Sequence, residues 1–595
     1  MPSVVASKIS APPSKSYTHR ALILGSLADG ETVIKNFLSS DDTLYTINAC
    51  RSLGVDIQVE DGTVRIAGTG GKFSVKPGQE RIFVGNSGST IRMMASLAAL
   101  VQGRVVFEGD PRLHERPVGD LLSALKSLGV QAKSINGNDC PPIEIHGGRL
   151  RGGEVAVSGI TSSQHISSLL MVAPYAEKDV KIRIIDSLHS KPYVAITIDV
   201  MRQFGVEVEN RNYEEFIVKS GQKYQGRHYK VEGDYSSAAY FFAAAAIGKG
   251  TVVVGNLKPD SAQGDKYFLD ILSDMGCIVT YGKNQVKVSR KKDLTGVSVD
   301  MGDYPDIVQP LAIVAAFAKG KTKITNIGHL RYKETDRISN TAAELRKMGI
   351  EVDVTADTML ITGGKPRGAS IETYNDHRMA MSFAIAALFA DGEAIINGAE
   401  SVAKSYPAFF TDLAKIGAKI EEISRTNIVL IGMRGSGKTT VGRLLAQKLG
   451  KQFIEMDELI VRRMGLSIPE IVEKYGWGKF REVEKEVTRE VARLDNVVNA
   501  TGGGVVTDEE NIRALKQKGK LVWLKVSLDT LLQRIGDDPP RPSLTGKPLR
   551  EDMAAVLAER TPIYERAADF VIDTDGKMSE EIVESIIQIM KKGDL

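Results

Sequence analysis

The chain has 595 residues, 42% of them hydrophobic and 25% charged, with a formal net charge of +3. That length allows several domains with full cores, and so small a charge excess excludes a nucleic-acid binder that works through bulk positive charge. Cys50, Cys140 and Cys277 are too far apart for a metal spacing or a disulfide framework. With no signal-like N-terminus and no long apolar run, a soluble, cytoplasmic chain with no membrane partner is expected.

From the start to residue 424 the sequence repeats itself. An amphipathic run, a hydrophobic residue with glycine, and a β-rich run recur at Gly54, Gly129, Gly205, Gly276, Gly349 and Gly417. Each glycine is expected to end a helix as a left-handed C-cap. A second glycine opens a β-rich run in DGETVI, QGRVVF, KGTVVV, KGKTKI and DGEAII; the third copy has AEKDVKIRI instead. Copies of roughly 70 residues exceed a common solenoid repeat and suit small mixed units of strands and two helices. Two sets of three predict a two-lobed α/β body with a ligand cleft between the halves; a purely structural repeat scaffold is the alternative.

The loops decide between them. Lys15, Ser16 and Arg20 lie in PPSKSYTHR, Gly88 and Arg92 in GNSGSTIR, and Arg116 in RLHERPVGD. Lys333 and Arg337 follow in RYKETDR, Arg378 in NDHRMAM and Lys404 in AKSYP. One such motif alone reads as a surface ion pair. Recurring at comparable places in the repeats, they predict one cationic pocket for small polyanions, with arginine gripping carboxylate or phosphate in bidentate fashion. Gly88 would let backbone amides approach the same anion. Asp306, in DYPDIVQP, and Glu334, beside Arg337, should be ionised among these cations, and in different local fields they could serve as base and acid.

The stretches PPSKSYTHRA, GNSGSTIR, ERPVGDLL, SSQHISSLLM, SKPYVAITI, VEGDYSSAAYF, KETDR, NDHRMAM and AKSYP resemble, in this order, the motif set of 5-enolpyruvylshikimate-3-phosphate synthases. The resemblance implies an inside-out α/β barrel of six repeats in two lobes, residues 15–231 and 1–14 plus 232–424, with crossovers near Lys15 and residues 231–234. It implies transfer of the enolpyruvyl group of phosphoenolpyruvate to the 5-hydroxyl of shikimate 3-phosphate, releasing phosphate, without a cofactor. Lys15, Gly88, Arg116, Gln164, Arg337, Arg378 and Lys404 would then hold phosphoenolpyruvate. Ser16, Arg20, Ser162, Ser163, Gln164, Ser190, Tyr193, Asp306 and Lys333 would hold shikimate 3-phosphate. Asp306 would take the hydroxyl proton, and Glu334 with Lys15 would handle protonation of the methylene carbon. Two kinds of departure stand out: His329 replaces a frequent asparagine, and Ser87 and Ser89 replace common Ala and Thr. A sibling family that transfers the same group to a UDP-sugar usually carries a cysteine just ahead of its R-P-V motif; Arg112-Leu113-His114-Glu115 here disfavour it.

Beyond residue 425 the apolar run Asn427-Ile428-Val429-Leu430-Ile431 leads into GMRGSGKT, a full match to the phosphate-binding G-x-x-x-x-G-K-[ST], and then into helical spacing. Strand, glycine loop and helix are expected, with Gly432, Arg434, Gly435, Ser436, Gly437 and Thr440 around ATP. Lys438 would reach its β/γ-phosphates, and the Thr439 hydroxyl would bind Mg²⁺. Gln452-Phe453-Ile454-Glu455-Met456-Asp457 predicts a short strand ending in acids, and the apolar run before TGGG a buried parallel strand. Pro539-Pro540-Arg541-Pro542-Ser543-Leu544 predicts a lid whose arginine stabilises the transferring phosphoryl group.

FREVE, TGGG and ERTPIY make residues 425–595 resemble shikimate kinases, in preference to gluconate or nucleoside-monophosphate kinases with the same loop. The resemblance implies that Asp457, Arg481, Gly503, Gly504 and Arg560 bind shikimate, Asp457 orienting the 3-hydroxyl. It gives Lys438 and Arg541 to phosphoryl transfer, Arg534 to the adenine side and Glu455, where the family usually has aspartate, to Mg²⁺. Ser543 replaces an apolar lid residue. The product of the second half would be the substrate of the first, an order resembling two consecutive modules of the fungal arom polypeptide. A scaffold with an ATP-driven switch is the rival of a different class.

Overall fold

All six repeat glycines adopt positive φ, from 82° at Gly349 to 106° at Gly276. This is the left-handed conformation that glycine enters without a Cβ clash. Each follows an amphipathic helix: Asp41–Ser52, Gly119–Ser127, Lys191–Gln203, Tyr267–Asp274, Arg337–Lys347 and Phe409–Lys415. At the second mark Gly30, Gly103, Gly320 and Gly392 are also left-handed, but in KGTVVV it is Lys249, at φ 52°, that makes the turn.

The computed structural model describes residues 7–60, 62–75, 78–421, 427–535, 543 and 547–593. It divides into two units, Met1–Ile420 and Glu421–Leu595. In the first, five of the six repeat sheets open with a parallel strand pair and close with an antiparallel hairpin among the described residues. Arg81–Phe83 runs parallel to Gly103–Glu108, which pairs antiparallel with Ile143–Gly147, itself antiparallel to Gln131–Ser134. Each repeat has a second helix: Gly88–Ala98, Ser163–Val172, Val308–Ala316 and His377–Phe389 cross between the two strands of a parallel pair, whereas Lys15–Leu27 and Tyr235–Ile247 join strands of different sheets. These are buried nearly all round, and every residue of Tyr235–Ile247 is buried. Such a helix has no face for water, so the helices fill the interior and the sheets lie outside them.

Each lobe closes with a strand from far away in sequence. Glu31–Lys35 takes its parallel partner from His228–Lys230, and Thr251–Gly255 takes Ser7–Ser10. The chain crosses between lobes where Ser14 N–H donates to Glu232 O and Asp234 N–H to Pro12 O, both at 2.8 Å. Two separate cores result, one from Tyr17 to Val231 and one from Ile9 and Ala11 joined to residues 235–416. The strand expected after Gly417 is not formed. Among the described residues the sixth sheet holds only Ser370–Glu372 and Ile395–Asn397, because the chain that would supply its hairpin leads on into the second unit.

That second unit is a five-stranded parallel sheet in the order Gln452–Glu455, Val497–Ala500, Asn427–Ile431, Gly519–Lys525, Phe570–Asp573. Every residue of the central strand Asn427–Ile431 is buried, as helices on both faces require. The glycine loop leaves its C-terminal end and enters the helix Lys438–Leu449, the crevice where open parallel sheets hold ligands. The long helix Ile468–Val491 is interrupted at Gly476, φ 78° and ψ 167°, so FREVE lies on its second segment.

Candidate active sites

The cationic motifs recur because they occupy equivalent places: most lie at helix starts, where unpaired N–H groups favour anions. Lys15 and Ser16 begin Lys15–Leu27, Gly88 begins Gly88–Ala98, Ser163 and Gln164 begin Ser163–Val172, and Arg378 is second in His377–Phe389. Asp306 sits on the short turn Pro305–Ile307 and Arg337 begins Arg337–Lys347.

Side chains of both lobes meet there. Arg337, 2% exposed, donates Nη2–H to Glu334 Oε2 at 2.7 Å, Nε–H to Asp376 Oδ2 at 2.7 Å and Nη1–H to Asp306 Oδ1 at 3.4 Å. Arg378 Nη2 lies 2.8 Å from Asp306 Oδ2. From the first lobe, Arg116 reaches Glu334 Oε1 at 3.7 Å and Asn86 O at 3.1 Å. From the second, Lys404 donates to the same Asn86 carbonyl at 2.8 Å. Asp42 bridges Lys15, at 3.1 Å, and Lys404, at 3.4 Å. A Cβ on Gly88 would lie 2.6 Å from Arg116 Cζ and 2.7 Å from Arg92 Nη1, so the missing side chain makes room for two guanidinium groups.

Burial alone would raise the carboxyl of Asp306, but the charges of Arg378, Arg337 and Lys333 outweigh it and hold the group well below the usual range. Glu334 goes the same way, with burial overcome by Arg337, Arg116 and Lys404. The two acids therefore share one ionised state, in contrast to the different fields expected of an acid and a base. Burial, opposed by Asp306 and reinforced by Arg337, pushes the Lys333 ammonium down to about 8.

In the second unit Gly432, Gly435 and Gly437 have φ of 143°, 78° and 89°, and the loop curls round Lys438, whose ammonium donates to Gly432 O at 2.9 Å and Met433 O at 2.7 Å. Thr439 and Thr440 are exposed at the helix start. A Cβ on Gly503 would approach Arg434 N to 3.2 Å, which brings the TGGG turn against the phosphate loop. Arg560 Nη1–H and the Tyr564 hydroxyl both donate to Gly503 O. Arg481 pairs with the buried Glu484 and would clash with any side chain on Gly504.

Residues 1–413 match the family model of EPSP synthase (3-phosphoshikimate 1-carboxyvinyltransferase), and residues 434–591 match that of shikimate kinase. The chain belongs to the EPSP synthase family and carries a shikimate kinase domain behind the synthase. A 3-phosphoshikimate 1-carboxyvinyltransferase from Methanoculleus marisnigri is 47% identical over 403 residues, 68% of this chain and 95% of that protein. One from Escherichia coli (strain SMS-3-5 / SECEC) is 44% identical over 412 residues, 69% of this chain and 96% of that protein. A solved EPSP synthase structure from Acinetobacter baumannii matches with a TM-score of 0.61 at 30% identity, covering 70% of this chain and 97% of that one.

In the synthase unit Lys15, Gly88, Arg116, Arg337, Arg378, Lys404, Asp306 and Glu334 converge. Gln164 joins them through Arg92, which donates to its Oε1 at 3.2 Å, and donates Nε2–H to Ser89 at 2.9 Å. Ser162 caps its helix by accepting Gln164 N–H at 3.3 Å, with Ser163 beside it. Ser190 is left-handed at φ 59°, its N–H donating across the lobes to Gly302 O at 3.2 Å. Arg20 stands apart. It is 2% exposed and donates to Thr197 Oγ1 at 2.7 Å, Ser16 O at 2.9 Å and Tyr193 O at 2.9 Å, bracing two site residues from behind. His329 packs edge-on to His189, ring centroids 5.4 Å apart, with neither of its nitrogens hydrogen-bonded.

In the kinase unit Asp457 lies in the first turn of Met456–Met464, and a Cβ on Gly502 would sit 3.1 Å from Asp457 Oδ1 and 2.8 Å from Glu484 Oε1. Arg534 donates to Thr574 O at 3.4 Å and lies beside the phosphate loop, 3.9 Å from where a Cβ on Gly437 would stand. Arg541 and most of the expected lid lie outside the described residues; Ser543 donates to Asp552 Oδ1 at 2.9 Å. Glu455 fits a magnesium ligand: its buried Oε2 lacks a hydrogen-bond partner, and burial raises its pKa against the pull of the Thr439 hydroxyl. Sequence reasoning missed Asp42, Asp376 and Glu484. Glu484 had a signal, an acid three residues after Arg481 in FREVE, whereas Asp42 and Asp376 read as ordinary helix-start acids.

Proposed function

We propose that the synthase cleft holds phosphoenolpyruvate on Lys15, Arg116, Arg337, Arg378 and Lys404, with Gly88 and Gln164 shaping that end. Shikimate 3-phosphate then rests on Ser16, Ser162, Ser163, Ser190, Tyr193 and Lys333, and Asp306 is the base. The chain is bifunctional. It phosphorylates shikimate with ATP, and it transfers the enolpyruvyl group of phosphoenolpyruvate to shikimate 3-phosphate, both steps of the shikimate pathway to chorismate. Residues 1–424 are assigned to the synthase and 425–595 to the kinase, a division supported by the contact break after Ile420.

The observation that carries the residue roles is the enclosure of the partly buried Asp306 and the buried Glu334 by Arg337, Arg378, Arg116 and Lys404. Anionic substrates are favoured because the cations lining the cleft outnumber its acids. As the 5-hydroxyl oxygen bonds to C2 of phosphoenolpyruvate, Asp306 accepts its hydrogen, and the C2–C3 π electrons take a proton at C3. Removal of a C3 proton then re-forms the double bond and expels phosphate with the C2–O electron pair. Held as a carboxylate, Glu334 suits that removal, which leaves the earlier proton delivery to the Lys15 ammonium.

In the kinase, Asp457 orients the 3-hydroxyl and Arg481 and Arg560 grip the carboxylate beside the Gly503 and Gly504 backbone. The loop amides, Lys438 and Arg541 hold the phosphoryl groups, with Arg534 toward adenine. Thr439 and Glu455 would hold the Mg²⁺ that travels with ATP and neutralises phosphate charge. The unpaired cysteines Cys50, Cys140 and Cys277 favour the reducing cytoplasm. No helix among the described residues is long and apolar enough to cross a membrane.

Phosphorus NMR of the full chain with shikimate, MgATP and phosphoenolpyruvate, each omitted in turn, tests both halves. Shikimate 3-phosphate should form with ATP alone, and inorganic phosphate should appear only when phosphoenolpyruvate is also present. Survival of phosphoenolpyruvate beside accumulated shikimate 3-phosphate would remove the synthase assignment.

A further inference from the structure

The Tyr193 hydroxyl lies between two carboxylates, 2.8 Å from Asp306 Oδ2 and 3.1 Å from Asp265 Oδ2. A phenol has one hydrogen to give. With both acids ionised, one of these contacts would set lone pairs against lone pairs in a partly buried setting, where water compensates them poorly. Asp306 is not the group that holds an extra proton, because Arg378 and Arg337 face the same carboxylate at 2.8 and 3.4 Å. Asp265 has a different environment. On the turn Gly264–Lys266 it is 5% exposed and accepts a hydrogen bond from Ser236 on the helix Tyr235–Ile247. The charged and titratable groups facing it are Asp306, Asp234, Tyr193 and the Arg378 guanidinium, which is already turned to Asp306. The turn is pressed onto the start of Lys191–Gln203, since any side chain on Gly264 would collide with Pro192.

We propose that Asp265 is a positioning residue of the enolpyruvyl transfer. In its protonated form it donates to Tyr193, so that the phenol hydrogen is committed to Asp306 and the base keeps one orientation toward the attacking hydroxyl. This rests on Asp306 being the base. Burial and the neighbouring Asp306 charge push the Asp265 carboxyl up to about 7, while burial and the same two acids raise Tyr193 well above the usual phenol range, so its hydrogen stays. Because Tyr193 comes from the first lobe and both acids from the second, the chain of three is complete only where the lobes meet. Once Asp265 ionises, Tyr193 is shared between two carboxylates and Asp306 loses its fixed donor.

The test uses the full-length protein. Infrared difference spectra of wild type against Asp265→Asn should contain the carbonyl stretch of a protonated carboxylic acid at about pH 6 and lose it by about pH 9. Asp265→Asn, whose amide donates as the protonated acid does, should keep kcat for phosphate release within about threefold, whereas Asp265→Leu should lower it about tenfold or more with KM for phosphoenolpyruvate nearly unchanged. A missing band at the lower pH, or equal losses in the two variants, overturns the proposal. Calorimetry with shikimate 3-phosphate reports whether Asp265→Leu has folded; if it has not, the band and the Asn variant still decide. Normal turnover by Asp306→Asn would instead remove the base assignment, a result distinguishable from either outcome at Asp265.

Discussion

In the proposed kinase site most of the groups assigned to phosphate come from one strand-to-helix turn, residues 432–439, built largely of backbone N–H groups with a single lysine. In the proposed synthase site they come from helix starts and turns spread between Lys15 and Lys404, and nearly all are charged side chains. The turn needs only its own glycines to form, and its dipoles remain satisfied by water when no phosphate is near. The cleft must bury charges, and each has to be matched: Arg337 by Glu334, Asp376 and Asp306, Lys15 and Lys404 by Asp42. Removing one partner there strands another in a poorly solvated place. Local phosphate binding tolerates change around it, whereas an assembled charge cluster does not.

The largest expected effect separates the units outright. Asp306→Asn should lower enolpyruvyl transfer by about 10³-fold, within the range for a lost general base, and leave ATP-dependent shikimate phosphorylation unchanged. Phosphate release measured with supplied shikimate 3-phosphate checks it, and a loss under tenfold would sink the assignment. The reciprocal change, Lys438→Met, should cost the kinase on the order of 10²–10³-fold in kcat while the synthase runs normally on supplied substrate. If synthase turnover also fell severalfold, the two sites would not be the independent devices contrasted above.

Smaller effects sharpen the contrast. Gly88→Ala drives a methyl into the Arg116 and Arg92 guanidinium groups, so KM for phosphoenolpyruvate should rise roughly 10- to 100-fold, with a smaller change for shikimate 3-phosphate. Equal rises for both substrates would mean that Gly88 shapes the whole cleft. Glu484→Gln removes the charge that holds Arg481 and should raise KM for shikimate about five- to tenfold at unchanged KM for ATP. Glu455→Asp should move the midpoint of a Mg²⁺ titration by about threefold or less, because the carboxylate type is kept. An unmoved KM for shikimate in the first case, or a midpoint moved tenfold in the second, would count against the roles given to these acids.

The contrast also explains what was legible in advance. Gly54 through Gly417 could be read as helix ends because the left-handed turn is a property of the residue itself. The phosphate loop could be read because strand, glycines, lysine and helix are contiguous. KGTVVV shows how far this goes: a glycine marks the turn, yet Lys249 next to it adopts the conformation. Asp42, Asp376 and Asp265 were not legible as parts of the cleft. The first two occupy helix starts, where an acid already has a local reason to be, and only Arg337, Lys15 or Lys404 arriving from elsewhere gives them a second task. Arg20 shows a further side, a motif arginine whose contacts with Thr197, Ser16 and Tyr193 could not be read from its motif.

By itself the sequence determined the repeat, its helix ends, the amphipathic helices before them, the phosphate loop and the two families, because each depends on residues close together along the chain. Only the tertiary structure decided how each lobe closes, with His228–Lys230 beside Glu31–Lys35 and Ser7–Ser10 beside Thr251–Gly255. It also decided that Asp306 and Glu334 lie in fields that act on both in the same direction, and that Tyr193 stands between two acids. Strand closure and the electrostatics of these groups depend on distances between residues that are mostly tens to hundreds of positions apart, and those distances exist only after folding.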